Sequence, residues 1–217
     1  MKQDIVKDVV KFFGDFTYAE TKNWNFNSPL LPSHSKSTVE DYIKGTYHDV
    51  EVEMSELLLK HQSGKNEHVV FQGQVLCFSM NKSFHGETRV VKDQGSMINW
   101  ISKQASTLEK VALEDPTFES HFEVYSSDQV EARYLLTTAF MERLLNLQKV
   151  YNASDTLQCR FSDRTLQITI PSNVNLFEPG SLYTSCLQTD DVHRFLAQMH
   201  EIFSIIDILK LYSKTGL

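Results

Sequence analysis

Apolar residues near the amino terminus recur every three to four positions. In the stretch KQDIVKDVVKFFGDF these positions are Ile5, Val6, Val9, Phe13 and Phe16. Charged residues occupy the rest of the helical wheel, which predicts an amphipathic helix. The polar stretch that follows contains NSPLLPSHSKS and has no period. We expect it to form an irregular loop.

From Val39 the period changes to two, which is typical of strands. In HDVEVEMSE, His48, Val50, Val52 and Met54 alternate with Asp49, Glu51, Glu53 and Ser55. After the turn-like HQSGKNE, the segment HVVFQGQVLCFSM predicts a partner strand and therefore a long hairpin. The segments ETRVVKD and LEKVALED predict two further strands.

The stretch VALEDPTFESHFEVYSSDQVEARYLLTTAFMERLL is dense in helix-start signals. Asp115 before Pro116 predicts a helix N-cap. FEVYSS predicts a short strand, and either Ser126 or Asp128 can open a capping box for the next helix. Its apolar positions are Val130, Tyr134, Leu135, Met141, Leu144 and Leu145, with a break expected at Thr137–Thr138.

The last third predicts a second hairpin and a terminal helix. Leu157, Cys159 and Phe161 alternate before SDRT, and Leu166, Ile168 and Ile170 alternate after it. A helix then starts near Asp190, capped by Thr189. Its apolar stripe is widened near the end by Ile205, Ile208 and Leu211. That end is therefore expected to be deeply buried or covered by a partner.

Together these elements predict one domain over residues 1–217. We expect an α+β fold: an antiparallel sheet built from hairpins, packed with N-terminal, central and C-terminal helices. The composition agrees with a globular protein, since 41% of the 217 residues are apolar and 23% are charged. No shift in composition marks a linker, and no internal repeat is evident.

Charge and cysteine usage exclude several classes of protein. The formal net charge is −7 and no lysine–arginine cluster interrupts it, which argues against a nucleic-acid partner. Cys77, Cys159 and Cys186 are odd in number and lie far apart, so neither a disulfide framework nor a zinc ribbon is expected. The first 16 residues lack the apolar run of a secretory signal, and no window holds 18 apolar residues.

Candidate chemistry is limited to one acidic row. Asp49, Glu51 and Glu53 share a predicted strand face, where they could hold a hard cation or supply a general acid and base. A solvated outer face gives the same spacing. His48 is expected on the opposite, apolar face and cannot easily complete the row.

Other chemistry-bearing residues fit a structural role better. His193 and His200 are seven apart on one helix, too far for joint ligation of one metal, and the HExxH pattern is absent. Glu131 and Arg133 are two apart on a helix and diverge, so Arg133 is expected to pair with a residue distant in sequence. The Ser-elbow, phosphate-loop and dinucleotide fingerprints are also absent.

Four segments carry a family resemblance: EDYIKG, VVFQGQV, SFHGETRVV and, most distinctively, LEDPTFESHFEVYSSDQVEARYLLTTAFMERL. With them the chain resembles the bacterial domain of unknown function 3137 family, from the first helix to about Tyr212. The resemblance implies no activity and no catalytic residues. It implies a soluble domain that follows two transmembrane helices, and hence an inner-membrane protein whose soluble part faces the cytoplasm.

The sequence thus favours a non-enzymatic interaction or scaffold domain of a bacterial membrane-associated protein. A protein partner or a second copy would cover Ile205, Ile208 and Leu211, and no cofactor is expected. The alternative is a hydrolase, or a metal- or ligand-binding enzyme, that uses Asp49, Glu51 and Glu53. Lipid recognition by lysines of the first helix ranks lower, because neighbouring aspartates offset their charge.

Overall fold

The structure is a computed structural model that describes residues 2–22, 24, 26–80, 83–92, 107–151, 153, 155–173 and 189–208. Within these residues the helices are α1 (Lys2–Lys11), α2 (Pro116–Glu119), α3 (Gln129–Leu135), α4 (Thr138–Val150) and α5 (Thr189–Ile208). The strands are β1 (Thr17–Thr21), β2 (Lys36–Tyr47), β3 (Val50–Ser63), β4 (Asn66–Ser79), β5 (Thr88–Lys92), β6 (Glu109–Val111), β7 (Phe122–Ser126), β8 (Gln158–Ser162) and β9 (Thr165–Pro171).

All the described strands join one antiparallel sheet in the order β1-β2-β3-β4-β9-β8-β5-β7-β6. The long β3–β4 hairpin is confirmed, with Ser63 opposite Asn66 around a two-residue turn. The β8–β9 hairpin is also confirmed; Asp163 takes a φ of 54° at its turn, a conformation that aspartate tolerates. This hairpin lies between β4 and β5 and so joins the two halves of the sheet.

The expected α+β arrangement is wrong. Instead of separate hairpins packed with helices, the described chain is dominated by a single nine-stranded antiparallel sheet, and three of its helices have ten residues or fewer. One strand, β1, was missed because its polar residues mask the alternation, and β2 begins three residues before Val39, where the period of two was expected to start. The distant pairing of β4 with β9 leaves no local signal at all.

One face of the sheet carries the main core. Val52, Leu76 and Ile168 on this face are fully buried, as the period of two predicts. Helices α4 and α5 pack against each other, and both contribute side chains to this core. The core-facing helix residues include Phe140, Leu144, Met199 and Ile202. The strand period and the helix stripe thus meet at a common apolar layer.

The second face is covered by the connection between β1 and β2, residues 22–35, which we term the strap. Phe26 and Leu31 of the strap pack with Leu57 and Val75 of the sheet. Leu30 contributes to a smaller cluster that contains Tyr125. The strap has no regular secondary structure in its described residues, as expected, but it buries apolar side chains on a face that would otherwise be solvated.

The end of the sheet that carries the β2–β3 turn contacts α5. Tyr47 at the end of β2 stacks on Phe203, with ring centroids 4.2 Å apart. In the β2–β3 turn, His48 Nδ1 lies 3.2 Å from Asp207 Oδ1. His48 is therefore an exposed turn residue and not part of the apolar strand face predicted for it. Among the described helices, none combines the length and apolar character needed to span a membrane.

Candidate functional site

The central stretch folds by successive helix caps. Asp115 Oδ1 accepts from the Phe118 N–H at 2.9 Å, which starts α2 after Pro116 as predicted. Asp128 Oδ1 accepts from the N–H groups of Val130 and Glu131, both at 3.0 Å, and starts α3. Thr137 caps α4, so the helix break lies where the sequence predicts it. Of the two predicted capping residues, Asp128 is therefore the N-cap.

Two of these capping residues, Asp115 and Thr137, line an open groove of about 890 Å³. Its walls are the 112–116 segment on one side and the α3–α4 junction on the other. Leu136 and Met141, almost completely buried, form an apolar floor. The polar lining residues are Glu114, Asp115, Arg133, Thr137 and Thr138. Asp115 and Thr137 already accept the cap hydrogen bonds of α2 and α4.

Helix α3 contributes Arg133 to the lining of the groove, and its exposed face was misassigned from the sequence. Val130 is 80% exposed and Tyr134 is 58% exposed, although both were predicted on the apolar stripe. The buried face instead carries Ala132 and Leu135. Because α3 is only seven residues long, about two turns, its apolar pattern does not fix which side faces the core. The structure thus leaves two large apolar side chains, four apart, on the same exposed face.

Arg133 lies beside this apolar pair. Its two terminal nitrogens donate to the backbone carbonyl and side-chain oxygen of Gln129, each at 3.3 Å. Both acceptors are neutral, so these contacts orient the guanidinium without neutralising it. The structure does not supply the distant acidic partner expected for Arg133 among the ion pairs of the described residues.

Glu131 points the other way and holds a loop. Its carboxylate accepts the N–H groups of His85, at 2.8 and 3.1 Å, and of Gly86, at 2.9 Å. A Cβ on Gly86 would lie 2.7 Å from Ser127 Oγ, so this close approach requires glycine. The SFHGE segment and the DQVEAR segment, both part of the family resemblance, are thus in direct contact.

The acidic row is divided between a turn and a strand. Asp49 belongs to the β2–β3 turn with a φ of 64°, and β3 begins one residue later. Lys44 Nζ lies 2.9 Å from Glu51 and 3.4 Å from Glu53. The Tyr42 hydroxyl also donates to Glu53, and burial together with this bond raises the pKa of Tyr42. In the part of the chain that the structure describes, no group of three metal-ligating side chains occurs.

The three residues that the sequence offered as a partner surface, Ile205, Ile208 and Leu211, differ in what the structure describes of them. Ile205 is fully buried in the main core, so it corresponds to the deeply buried alternative. Ile208 ends α5, and its side chain lies outside the described residues, as does Leu211. His193 and His200 on α5 are both exposed.

The described cysteines are unpaired and protected. Cys77 and Cys159 are free thiols, whereas Cys186 lies outside the described residues. Burial raises the pKa of Cys159. Burial, helped by the nearby carboxylates of Glu53 and Glu51, raises the pKa of Cys77 to about 11. Neither thiol has the lowered pKa of a nucleophile.

A third cluster, on the second face of the sheet, was missed from the sequence. Glu87 Oε1 accepts from Arg89 Nε and from Arg160 Nε, the latter at 2.9 Å, and Glu87 Oε2 accepts from Arg160 Nη2 at 3.0 Å. Burial opposes ionisation of Glu87, but the two guanidinium groups outweigh it and lower its pKa. The signal available was the spacing of Glu87 and Arg89, two apart at the start of a strand; Arg160 gives no local signal.

Comparison with known proteins places these features in context. The family model described as "Protein of unknown function (DUF3137)" matches residues 69–211. No curated protein matches the chain. A solved structure, described as the crystal structure of the mycobacterial trehalose monomycolate transport factor A, TtfA, shares the fold at a TM-score of 0.53 and 10% sequence identity. The match covers 100% of this chain and 98% of that one.

Proposed function

The chain belongs to the DUF3137 family, and from that premise we propose that it is a non-enzymatic interaction domain whose binding site is the groove beside α3. The occupant we propose is a segment of a partner protein with apolar side chains and an acidic group. The observation that carries the proposal is the exposure of Val130 and Tyr134 on the same short helix as Arg133, which lines an apolar-floored groove.

The physical chemistry of this surface favours binding over catalysis. Tyrosine and arginine are the residue types that most often dominate the energy of protein interfaces. Large apolar side chains that are exposed together beside a groove mark sites of association more often than isolated ones do. Arg133, held by neutral acceptors, keeps its full charge for an acidic group of the partner.

The fold likeness supports the same conclusion in a coarser way. The solved structure that shares this fold is described as a transport factor, not as an enzyme. At 10% identity the likeness concerns the fold alone, so the groove residues carry the argument for binding.

We also propose that the domain acts at the bacterial inner membrane, on its cytoplasmic side, as the family resemblance implies. The free thiols of Cys77 and Cys159 are compatible with a reducing compartment. Fractionation of the native full-length protein, followed by protease treatment of spheroplasts, tests this. Protection of the domain until the membrane is opened supports the proposal, and digestion in intact spheroplasts contradicts it.

A photo-crosslinking residue placed in the native protein tests the groove. We expect a discrete adduct when it replaces Tyr134 or Val130. The matched control is Val69 on the β3–β4 hairpin, which is 55% exposed but far from the groove in the sheet order. When the crosslinking residue is at position 134, the additional substitution Arg133→Ala should lower the adduct yield several-fold, because it removes the charge contact with the partner.

The adduct also identifies the class of occupant. A heteromeric adduct that depends on Arg133 supports the proposal. An adduct with a second copy of the chain would contradict a separate partner protein and would show that the groove mediates self-association. Equal yields at residues 69 and 134, or no adduct at 130 and 134, would contradict a binding site at the groove.

A further inference from the structure

Three polar side chains form a row across the second face of the sheet. Arg89 of β5 lies opposite Arg160 of β8, and Arg160 lies opposite Gln167 of β9. Side chains at directly opposed positions lie about 5 Å apart at Cβ. The strap crosses this row, since Gln167 Nε2 donates to the Asn27 carbonyl at 3.2 Å.

The charges in this row do not balance. One carboxylate, Glu87, accepts hydrogen bonds from both Arg89 and Arg160, which leaves one positive charge in excess. Among the described residues, the neighbouring carboxylate of Glu123 does not compensate, because Lys110 already pairs with it at 2.6 Å. A partly buried excess charge without a counter-ion is costly.

Hydrogen bonding shows the same deficit. Arg89 is only 4% exposed, yet its Nη1 is buried without a hydrogen-bond partner among the described residues. An unsatisfied buried group costs about 1–3 kcal/mol, and more when it is charged. A bound ion is one of the arrangements, with ordered water, that satisfies such groups in proteins.

We propose that Arg89 and Arg160 form a binding site for the oxyanion of a small molecule, a carboxylate or phosphate group. The anion enters at the side where Glu87 and Arg160 keep 25% and 19% of their side-chain surface exposed. It accepts from Arg89 Nη1 and neutralises the excess charge. Guanidinium groups suit such oxyanions because their N–H donors form a planar fork.

The scaffold around Glu87 makes the site rigid. The preceding residues, His85 and Gly86, donate their N–H groups to Glu131, and the Glu87 N–H donates to Ser127 Oγ at 2.9 Å. Glu87 is therefore fixed by two hydrogen-bonded anchors on the 127–131 segment. It acts as an internal competitor for the arginines and sets how strongly an external anion binds.

The test is the thermal unfolding midpoint of the full chain, titrated with sodium phosphate or sodium acetate against sodium chloride at equal ionic strength. We expect phosphate, acetate or both to raise the midpoint in a saturable way, while chloride does not. A rise in the midpoint with phosphate alone identifies a phosphate ligand, and a rise with acetate alone identifies a carboxylate ligand. Equal effects of all three salts would overturn the proposal.

Four variants locate the effect. Arg89→Met and Arg160→Gln should each weaken oxyanion binding by about ten-fold or more, because each removes charged donors. Glu87→Gln should strengthen binding, since it removes the internal competitor. Lys65→Met in the exposed β3–β4 turn is the control and should bind as the wild type does. If Arg89→Met does not fold, oxyanion binding by Arg160→Gln, a change at a partly exposed residue, tests the proposal instead. Wild-type binding by Arg160→Gln, or weaker binding by Glu87→Gln, would overturn the proposal.

Discussion

The Glu131 carboxylate and the Gly86 backbone N–H are 45 residues apart in sequence and 2.9 Å apart in space. This contact, with the two from His85, joins the loop before β5 to helix α3. It connects the groove on one side of α3 with the Glu87 cluster on the other. The carboxylate thus supports both proposed sites without belonging to either.

We therefore predict that Glu131→Ala destabilises the domain by about 2 kcal/mol, the usual loss for hydrogen bonds to a buried charged group. The N–H groups of His85 and Gly86 would be left without their acceptor. Urea unfolding, with the midpoint and slope fitted together, measures the change. Glu142→Ala on the exposed side of α4 is the control and should stay within about 0.5 kcal/mol of the wild type. A similar loss in both variants would contradict this role of Glu131.

A pair of phenylalanines gives a second, matched comparison. Phe203 is 8% exposed and contacts the rings of Phe13, Phe16 and Tyr47, whereas Phe12 is 83% exposed. Phe203→Ala should lower the free energy of unfolding by about 3 kcal/mol, and Phe12→Ala by less than about 0.5 kcal/mol. Thermal or urea unfolding distinguishes them. A small effect at residue 203 would mean that α5 is not docked on the sheet end as described.

Acidification should destabilise the domain partly through Glu87. Its pKa is lowered from 4.5 in the folded chain, so its contribution to stability is complete above that value and is lost as pH falls through the folded pKa. Asp155, whose pKa is also lowered, adds a parallel loss below 3.8. Unfolding free energies measured from pH 6 to pH 3 should therefore fall, and fall less steeply for Glu87→Gln. An unchanged slope in that variant would remove Glu87 from the explanation.

Cysteine reactivity offers a site-resolved test. With a pKa of about 11, Cys77 is thiolate in only about one molecule in a thousand at pH 8, and Cys159 is buried as well. Both should react slowly with iodoacetamide in the folded chain and quickly in urea. Peptide mass spectrometry assigns each adduct to its cysteine. Glu53→Gln should accelerate labelling of Cys77 but not of Cys159, because it removes one of the carboxylates that raise the pKa of Cys77.

Two glycines in the long hairpin should respond very differently to alanine. At Gly73, with a φ of 152°, an added Cβ would lie 2.1 Å from the Ile170 carbonyl oxygen. At Gly64, with a φ of 62°, nothing lies within 4 Å of the added atom. Gly64→Ala should cost about 1 kcal/mol from backbone strain alone, whereas Gly73→Ala should cost several times more. Comparable unfolding midpoints for the two variants would show that β4 and β9 can separate at this point.

The sequence predicts local structure well where one physical signal dominates. Strict alternation in β3 and in the β8–β9 hairpin locates those strands, and Asp115, Asp128 and Thr137 locate helix starts. The sheet order has no local signal, because β4 pairs with a strand about 95 positions further along the chain. That missing information is why the fold class was predicted incorrectly.

The candidate sites show the same limit. Asp49, Glu51 and Glu53 were selected because they are adjacent in sequence, yet Lys44 from the neighbouring strand pairs with Glu51 and Glu53. Arg89 and Arg160 come together only through the β5–β8 pairing. The groove depends on which side of the short α3 faces the core. Each of these facts depends on tertiary structure, which periodicity does not encode.

The position of β9 has a consequence for synthesis on the ribosome. Strands β1 to β4 pair in sequence, so this meander can assemble as soon as it emerges. The free side of β4 then stays open until residues 165–171 have been translated. An open strand of this kind is a template for pairing with other chains. A pause in translation between β4 and β9 should therefore increase aggregation of the nascent protein, whereas a pause after β9 has emerged from the ribosome should not.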